Sequence, residues 1–172
     1  MKSKVFGFIT VFTAIFLVTP HLTQAADVNS QLADFEGSFI DLSKDWGEAK
    51  ACWSDGRTTE CFRTESQMDS QINQRFILKA AVASCATSVK LYSNTSYGGS
   101  VLSLVTRTVP INLSAYGFDN LTSSYVIGSC STLFYDYANN VSPTYPGSTT
   151  ANSSASSMST GWDNRVSSIR IS

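Results

Sequence analysis

The sequence has 172 residues, a size that fits one ordinary domain with or without a small extension and excludes a large multidomain enzyme. Hydrophobic residues make up 42% of the chain and charged residues only 15%, with a formal net charge of −1. This apolar content is enough to bury a core and argues against intrinsic disorder. So few charged residues also argue against the clustered basic surface that a nucleic-acid binder needs, so we expect no nucleic-acid partner.

Residues 1–25 have the pattern of a secretory signal peptide. Lys2 and Lys4 precede an apolar run over residues 5–18, and small side chains stand at both positions that a signal peptidase inspects before a cut after Ala25. The run is shorter than the roughly 20 residues of a membrane span. We therefore expect cleavage, a secreted extracellular protein and no transmembrane segment in the mature chain.

Cleavage would also change the chemistry that the chain can perform. Removing Lys2 and Lys4 leaves 10 of the 12 basic residues against 13 acidic ones, and His21, the only histidine, is lost as well. Without histidine the mature chain has no Ser-His or Cys-His nucleophile pair and no His-containing catalytic zinc site. We predict that the protein is not an enzyme.

Four cysteines lie downstream of the signal segment, and an exported chain of this kind is expected to form two disulfides. Cys52 and Cys61 flank Asp55-Gly56, a turn dipeptide, so we expect them to close a local loop. By elimination, Cys85 would pair with Cys130. The alternative is a zinc cluster, but no C-x-x-C spacing is present.

Residues 26–85 hold most of the acidic side chains and contain one convincing helix. Thr64 and Gln67 fit a capping box, in which both side chains satisfy free backbone donors of the first turn. Apolar side chains then recur at helical spacing, at Met68, Ile72, Phe76 and Ile77. We predict a helix over about 65–83 that packs against the second half. The stretch before position 50 forms either a hairpin or loop that covers an edge of the core, or a mobile arm.

The second half of the chain, residues 86–172, contains an internal repeat. Gly117–Ser124 and Gly161–Ser168 both read G, aromatic, D-N-x-x-S-S, and strand-forming residues follow each copy. The copies start 44 residues apart, a length that suits an antiparallel unit of four short strands joined by turns.

A second element precedes each copy of the repeat. Tyr92 is followed five residues later by Tyr97 and then by Gly99, and Tyr145-Pro146-Gly147 repeats the Tyr-x-Gly spacing. A glycine fixed after a tyrosine predicts a hairpin position with positive φ, with the aromatic ring folded over the turn. The second unit lacks an aromatic residue five positions before its tyrosine, so its first hairpin is expected to be lengthened over residues 139–144.

Together, the Tyr-x4-Tyr-x-Gly element and the following D-N-L-T-S-S segment resemble the Greek-key signature of the βγ-crystallins. Both D-N-x-x-S-S segments resemble the calcium loops of the microbial members. With a cysteine ahead of each unit and a secretion signal, the longer pattern is similar to small secreted bacterial proteins related to the peptidase inhibitor I36 family. The resemblance implies an all-β, βγ-crystallin-like sandwich of two Greek-key motifs at 86–172, preceded by a disulfide-closed extension with one helix at 26–85.

The resemblance also implies a cofactor, calcium, which takes six to eight oxygen ligands in a flexible shell. One loop offers about half of that number, and in the resembled family each ion takes oxygens from both loops. The candidate ligands carried over are Asp119, Asn120, the Leu121 carbonyl, Ser123, Asp163, Asn164, the Arg165 carbonyl and Ser167. Ser124 and Ser168 are expected to hold the folded hairpins through backbone hydrogen bonds. We expect up to two ions of modest affinity that stabilise the fold.

Three other interpretations stay open. Asp, Asn and Ser are ordinary turn formers, so each loop alone is also explained as a turn. The I36 resemblance implies an inhibitor of an extracellular (metallo)peptidase, which would present either the Cys52–Cys61 loop or the loop over residues 139–144. A toxin-like module that binds cell-wall polymers or membranes would use exposed tyrosines as stacking platforms. In every case we expect a monomer.

Overall fold

The structure is a computed structural model, and it describes residues 31–79, 87–106 and 110–172. The predicted signal peptide over residues 1–25 lies outside these ranges, and so does Cys85. Secretion therefore stays a prediction. No helix within the described ranges is long and apolar enough to cross a membrane.

Short strands and one long helix make up the described chain, as expected for small antiparallel units joined by turns. In chain order the elements are β1 (Leu32–Phe35), β2 (Ser38–Asp41), β3 (Ala51–Ser54), β4 (Thr59–Phe62), α1 (Glu65–Lys79), β5 (Val89–Asn94), β6 (Gly98–Leu104), β7 (Ile111–Asn112), β8 (Ser124–Val126), β9 (Thr132–Tyr137), β10 (Val141–Thr144), β11 (Ser154–Ala155) and β12 (Ser168–Ile171). Short 3-10 turns over Leu113–Tyr116 and Ala138–Asn140 follow β7 and β9.

The strands β5 to β12 form two Greek-key motifs that exchange their third strands. One sheet contains the run β11-β8-β5-β6, and the other sheet has the order β10-β9-β12-β7. In each unit the first, second and fourth strands are therefore neighbours, while the third strand, β7 or β11, lies at the edge of the other unit's sheet. Both exchanged strands pair antiparallel, β7 with β12 and β11 with β8. The predicted all-β sandwich of two Greek keys is confirmed.

The core lies between the two sheets and is rich in aromatic rings. Tyr125 on β8 packs edge-to-face against Phe134 on β9, with ring centroids 5.1 Å apart, and against Tyr145 at 5.7 Å. Trp162 packs against Tyr145 in the same way at 5.4 Å. Each such pair adds roughly 0.5–1.5 kcal/mol to the free energy gained by burial. Because these side chains come from both units, the core joins the two Greek keys.

The extension before the Greek keys continues one of the sheets. β3 pairs parallel with β6, and β4, β1 and β2 follow in that order to the sheet edge. The stretch predicted as an edge cover or a mobile arm thus includes the hairpin β1–β2, whose turn holds Glu36 and Gly37 at φ values of +54° and +82°. Strands of four residues contain too few alternations for a clear periodic signal, so the sequence did not predict this continuation.

The helix α1 begins where the capping pattern predicts. The hydroxyl of Thr64 accepts a hydrogen bond from the backbone N–H of Gln67 at 3.2 Å, as an N-cap side chain does. Met68 and Ile72 are buried against the face of the first sheet that points away from the second sheet. The described part of the helix ends at Lys79, and the predicted end near 83 lies outside the described residues.

An ion-pair cluster also ties α1 to β5. Lys90 Nζ lies 2.7 Å from Oε1 of Glu65 and 2.8 Å from Oδ1 of Asp69. The hydroxyl of Tyr92 donates to the same Glu65 oxygen at 2.8 Å. Burial and this hydrogen bond raise the pKa of the Tyr92 phenol. The helix is therefore held by charge as well as by its buried side chains.

The predicted disulfide between Cys52 and Cys61 is confirmed. The two residues are directly opposite in the β3–β4 hairpin, and their sulfur atoms are 2.02 Å apart. The hairpin turn is closed by Asp55, whose carboxylate accepts the backbone N–H of Thr58 at 2.8 Å. Cys130 is disulfide-bonded as well, and its predicted partner lies outside the described residues.

Candidate metal site

The two D-N-x-x-S-S loops lie side by side and exchange backbone hydrogen bonds. The N–H of Asn120 donates to the carbonyl of Val166 at 3.0 Å, and the N–H of Asn164 donates to the carbonyl of Thr122 at 3.1 Å. The strand exchange explains this proximity, because β7 leads toward the first loop and pairs with β12, which follows the second loop. The contacts are reciprocal, as a pseudo-twofold arrangement of two repeats requires.

Each loop also brings a hydroxyl to the amide of the other loop. Ser123 Oγ donates to Asn164 Oδ1 at 3.1 Å, and Ser167 Oγ donates to Asn120 Oδ1 at 3.3 Å. These pairs are named here the Ser123–Asn164 cluster and the Asn120–Ser167 cluster. Each cluster contains two kinds of oxygen ligand from two different repeats. Each is therefore a candidate site for one cation.

The repeated residues give both loops the same backbone turn. Asn120 and Asn164 take the left-handed conformation with φ values of +56° and +55°. Asparagine tolerates this region better than most side chains do. Gly117 and Gly161, three residues earlier, have positive φ as well, at +61° and +80°. The sequence G-aromatic-D-N thus specifies the shape of the site twice.

The clusters reach from the interior to the surface. Both serines are buried, because Ser123 is 4% exposed and Ser167 is 9% exposed. The carboxylates of Asp119 and Asp163 are exposed, and Asp119 Oδ2 accepts a hydrogen bond from Asn120 Nδ2 at 3.3 Å. A cation from solvent would therefore meet the carboxylate and amide oxygens first and the buried hydroxyls behind them.

The ligand set of these loops suits calcium better than a transition metal. Across the described ranges no three His, Cys, Asp or Glu side chains are grouped to hold an ion. The available ligands are amide, hydroxyl and carboxylate oxygens together with the backbone carbonyls of Leu121 and Arg165. Hard oxygen ligands of this kind are those that calcium takes, whereas zinc and copper favour cysteine and histidine. With one carboxylate per loop, the charge at each site is low.

The extension packs against the start of the first loop. The indole N–H of Trp46 donates to the carbonyl of Tyr116 at 3.0 Å, and the Trp46 ring lies 5.6 Å from the Phe118 ring, centroid to centroid. The backbone of Leu42 is so close to Gly117 that a Cβ added there would lie 2.0 Å from the Leu42 carbonyl oxygen. The first loop is therefore anchored by residues outside the repeat.

The second loop is anchored by an ion pair that the sequence analysis did not identify. Arg165 Nε and Nη2 donate to the two carboxylate oxygens of Asp136 on β9, at 2.8 and 2.7 Å. These hydrogen bonds raise the pKa of the Arg165 guanidinium. The side chain of Arg165 is thus engaged by Asp136, and its backbone carbonyl is the candidate ligand. In the sequence Asp136 stands out only as the single acid of the strand Thr132–Tyr137.

In the first unit the hairpin β5–β6 is held by the serine that ends the loop. Ser124 Oγ donates to the carbonyl of Asn94 at 2.6 Å and accepts the backbone N–H of Tyr97 at 3.1 Å. Tyr97 packs edge-to-face on Tyr92, with centroids 5.7 Å apart, and Gly99 has a φ of +77°. The serine therefore connects the turn of the hairpin to the strand that leaves the loop.

The second unit folds its hairpin at a different place from the one predicted. Ser168 Oγ donates to the carbonyl of Tyr137 at 2.6 Å and accepts the N–H of Asn140 at 2.9 Å, and Asn139 and Asn140 both have a φ of +60°. The expected lengthened hairpin is instead a tight turn followed directly by β10. Tyr145-Pro146-Gly147 is not the hairpin turn, because it follows β10, although the Tyr145 ring does pack over Gly147 as predicted. Asparagine takes positive φ without an aromatic partner, so the Tyr-x-Gly pattern indicated the wrong segment.

Comparisons with known proteins find similarity in solved structures. No protein-family model matches the chain. No curated protein matches it either. The chain is similar to a βγ-crystallin from Ciona intestinalis, at 20% identity over 49% of this chain and 99% of that one, with a TM-score of 0.42. It is also similar to the N-terminal domain of protein S, at 20% identity over 49% and 94% of the two chains, with a TM-score of 0.41.

A βγ-crystallin domain from Flavobacterium johnsoniae is similar as well, at 26% identity over 49% of this chain and 92% of that one, with a TM-score of 0.41. The strand order of β5 to β12 itself gives a sandwich of two Greek keys in the second half of the chain, and the strands of the first half extend one of its sheets.

Proposed function

We propose that the protein is a non-catalytic calcium-binding module in which up to two calcium ions join the two D-N-x-x-S-S loops and stabilise the folded state. The observation that carries this proposal is the reciprocal pairing of Ser123 with Asn164 and of Ser167 with Asn120. An ordinary turn needs no oxygen ligand from the other repeat. The crossed arrangement therefore supports shared cation sites over two independent turns.

Each cluster would hold one ion. The backbone carbonyl of the residue after the cluster's asparagine would be a further ligand. The ligands at the first ion would include Ser123, Asn164 and the Arg165 carbonyl, and those at the second Asn120, Ser167 and the Leu121 carbonyl. Asp119 and Asp163 would supply the two carboxylates. When bound, calcium would supply positive charge that draws these oxygens together, and the chain's own backbone turns would orient them.

The ions would act by mass action on folding. A ligand that binds only the folded chain stabilises it by about 2.7 kcal/mol when its free concentration is 100 times the dissociation constant. Because each ion would take oxygens from both repeats, its binding opposes separation of the two Greek keys. A single carboxylate per loop favours dissociation constants of about 10⁻⁴–10⁻³ M, the range of extracellular modules. The export that we propose from the signal-like segment fits this range.

Isothermal titration of the protein with calcium tests the proposal. Ser123→Arg and Ser167→Arg each place bulk and positive charge in one cluster, so we expect two ions in the wild type and the loss of one ion in each variant. Ser157→Arg, at an exposed bend outside both loops, is the matched control and should bind as the wild type does.

Because both cluster serines are buried, Ser123→Ala and Ser167→Ala are measured in parallel, with circular dichroism to verify folding. We expect these smaller changes to weaken binding while the fold is kept. A wild type that releases no binding heat, and that melts at the same temperature in calcium and in chelator, would contradict the proposal.

A further inference from the structure

The side chain of Arg165 closes the second loop onto β9. Its guanidinium binds both carboxylate oxygens of Asp136, at 2.8 and 2.7 Å, and Asp136 is only 8% exposed. The same guanidinium donates to the carbonyl of Gly161 at 3.3 Å and lies 5.3 Å from the centroid of the Trp162 ring. A bidentate arginine–carboxylate pair is the geometrically most specific form of ion pair. The turn Gly161–Arg165 is therefore fixed at both of its ends.

Among the residues that the structure describes, the first loop has no equivalent of this ion pair. Tyr92 is paired with Ser124 and Tyr135 with Ser168, so the position after each tyrosine is equivalent in the two units. Ser93 stands where the second unit has Asp136. Its hydroxyl accepts the backbone N–H of Ser100 at 2.8 Å instead of binding the loop.

The loop position equivalent to Arg165 is Leu121, whose side chain is 41% exposed. The two repeats therefore differ at two positions. In the second unit these are Asp136 and Arg165, which contact each other, and in the first unit they are the uncharged Ser93 and Leu121. The difference lies beside the candidate ligands, because Arg165 directly follows Asn164 and Leu121 directly follows Asn120.

The ion pair has two effects on a neighbouring cation site. It fixes the backbone turn that supplies Asn164 and the Arg165 carbonyl, both candidate ligands, so less conformational entropy would be lost on binding. It also cancels the positive charge of Arg165, which would otherwise repel a cation bound beside the neighbouring Asn164.

We infer that the ion pair between Asp136 and Arg165 makes the two calcium sites unequal, with the Ser123–Asn164 cluster preorganised to bind the first ion more tightly. The inference rests on the proposed calcium function. Asp136 and Arg165 act as positioning residues, since the carboxylate reaches the site only through the arginine. The Asn120–Ser167 cluster, whose loop lacks the pair, binds the second ion more weakly.

Calorimetric titration of the full chain with calcium tests this asymmetry. The wild type should bind two ions in two steps whose dissociation constants differ by about tenfold, which corresponds to about 1.4 kcal/mol and lies within the cost of about 0.5–1.5 kcal/mol for ordering one side chain. The double variant Asp136→Ser/Arg165→Leu gives the second unit the residues of the first. In this variant we expect the dissociation constant of the tighter step to rise to that of the weaker step. The weaker step should stay unchanged, so that the two steps merge.

Asp136→Asn alone separates this role from a merely structural one. It leaves the guanidinium uncompensated beside the loop, so the tight step should weaken more than in the double variant. Part of that loss should be recovered at high ionic strength, because salt screens exposed charges. Arg165→Lys keeps the charge without the bidentate fork and should weaken the tight step alone. It replaces the double variant if circular dichroism shows that the latter does not fold.

The outcomes distinguish the two proposals. Absence of any calcium binding by the wild type would remove the proposed function and with it this inference. Two ions bound with equal affinity, or a double variant that keeps two separate steps, would overturn the inference and leave the calcium function standing.

Discussion

The hydroxyl of Ser123 donates a hydrogen bond to Oδ1 of Asn164, 41 residues further along the chain, at 3.1 Å. The contact is possible because each Greek key sends its third strand into the sheet of the other. Met158, just after β11, donates its N–H to the Ser123 carbonyl at 3.0 Å, and Leu113, just after β7, donates to the Ser167 carbonyl at 2.9 Å. The exchange of third strands therefore brings the two loops together. The same exchange forms both the two-sheet fold and the candidate metal site.

Gly117→Ala should destabilise the protein far more than Gly161→Ala, although the two glycines hold the same place in the repeat. Both have positive φ, which costs a residue with a Cβ about 1–2 kcal/mol. At Gly161 the space around the new Cβ is open, whereas at Gly117 it would lie 2.0 Å from the Leu42 carbonyl oxygen. Overpacking then adds about 1–3 kcal/mol. Urea unfolding of both variants measures the difference, and equal losses would show that the extension does not press on the first loop.

Thr122→Val should stabilise the protein. The Thr122 side chain is fully buried, and its hydroxyl has no hydrogen-bond partner among the residues that the structure describes. Val166 occupies the equivalent position of the second loop and is buried without any polar group. Removing an unsatisfied hydroxyl should raise the free energy of unfolding by about 1 kcal/mol.

The reciprocal variant Val166→Thr is the control and should lower the free energy of unfolding by a similar amount. Chemical denaturation with an unchanged m-value is the measurement. A loss of stability in Thr122→Val would show that the hydroxyl makes a bond in solution.

Stability should fall as the pH rises above 10. Burial and the hydrogen bond to Glu65 raise the pKa of Tyr92 above its ordinary value of 10.0, and burial raises the pKa of Tyr116 and Tyr125 in the same direction. The unfolded chain then loses its phenolic protons at a lower pH than the folded chain does. Folding stability is therefore complete below pH 10 and is lost progressively toward the raised pKa of each folded tyrosine.

Tyr92→Phe removes one of these groups and should flatten the decline between pH 10 and pH 12, an interval set by the ordinary tyrosine pKa of about 10. Thermal melting followed at several pH values reports the slope. If the variant and the wild type decline in parallel, the phenol of Tyr92 does not stay protonated in the fold.

The double variant Cys52→Ala/Cys61→Ala should lower the free energy of unfolding by about 2–3 kcal/mol. The crosslink closes a short hairpin, with a sequence separation of 9, and its loss frees the unfolded chain. Two buried sulfur atoms are removed from the core at the same time. Substitution is used instead of reduction because Cys130 is disulfide-bonded as well. An unchanged denaturation midpoint would mean that the crosslink adds nothing to the free energy of unfolding and that the β3–β4 hairpin is fully ordered in the folded chain without it.

The repeat made much of the fold predictable from the sequence. Gly117–Ser124 and Gly161–Ser168 specify the same turn twice, and two equivalent turns imply two equivalent units. The start of α1 was equally predictable from the sequence, because the cap at Thr64 is a local interaction between residues three apart. Predictions succeeded where the determining contacts lie within one turn or recur at a fixed spacing.

The features that the sequence did not reveal depend on contacts between distant residues. β3 pairs parallel with β6 across α1, and neither strand indicates its partner. Asp136 gains its role only when Arg165, 29 residues later, reaches it. The turn at Asn139 and Asn140 was missed for another reason, since asparagine adopts positive φ without the tyrosine and glycine that mark the first hairpin.

A crystal structure of the protein grown in calcium, on the order of 10⁻³ M or above to exceed the expected dissociation constants, tests the shared sites most directly. We predict anomalous density for one ion at the Ser123–Asn164 cluster and one at the Asn120–Ser167 cluster, each ion bonded to oxygens of both repeats. Density at neither cluster, with the direct hydroxyl-to-amide hydrogen bonds still in place, would contradict this prediction.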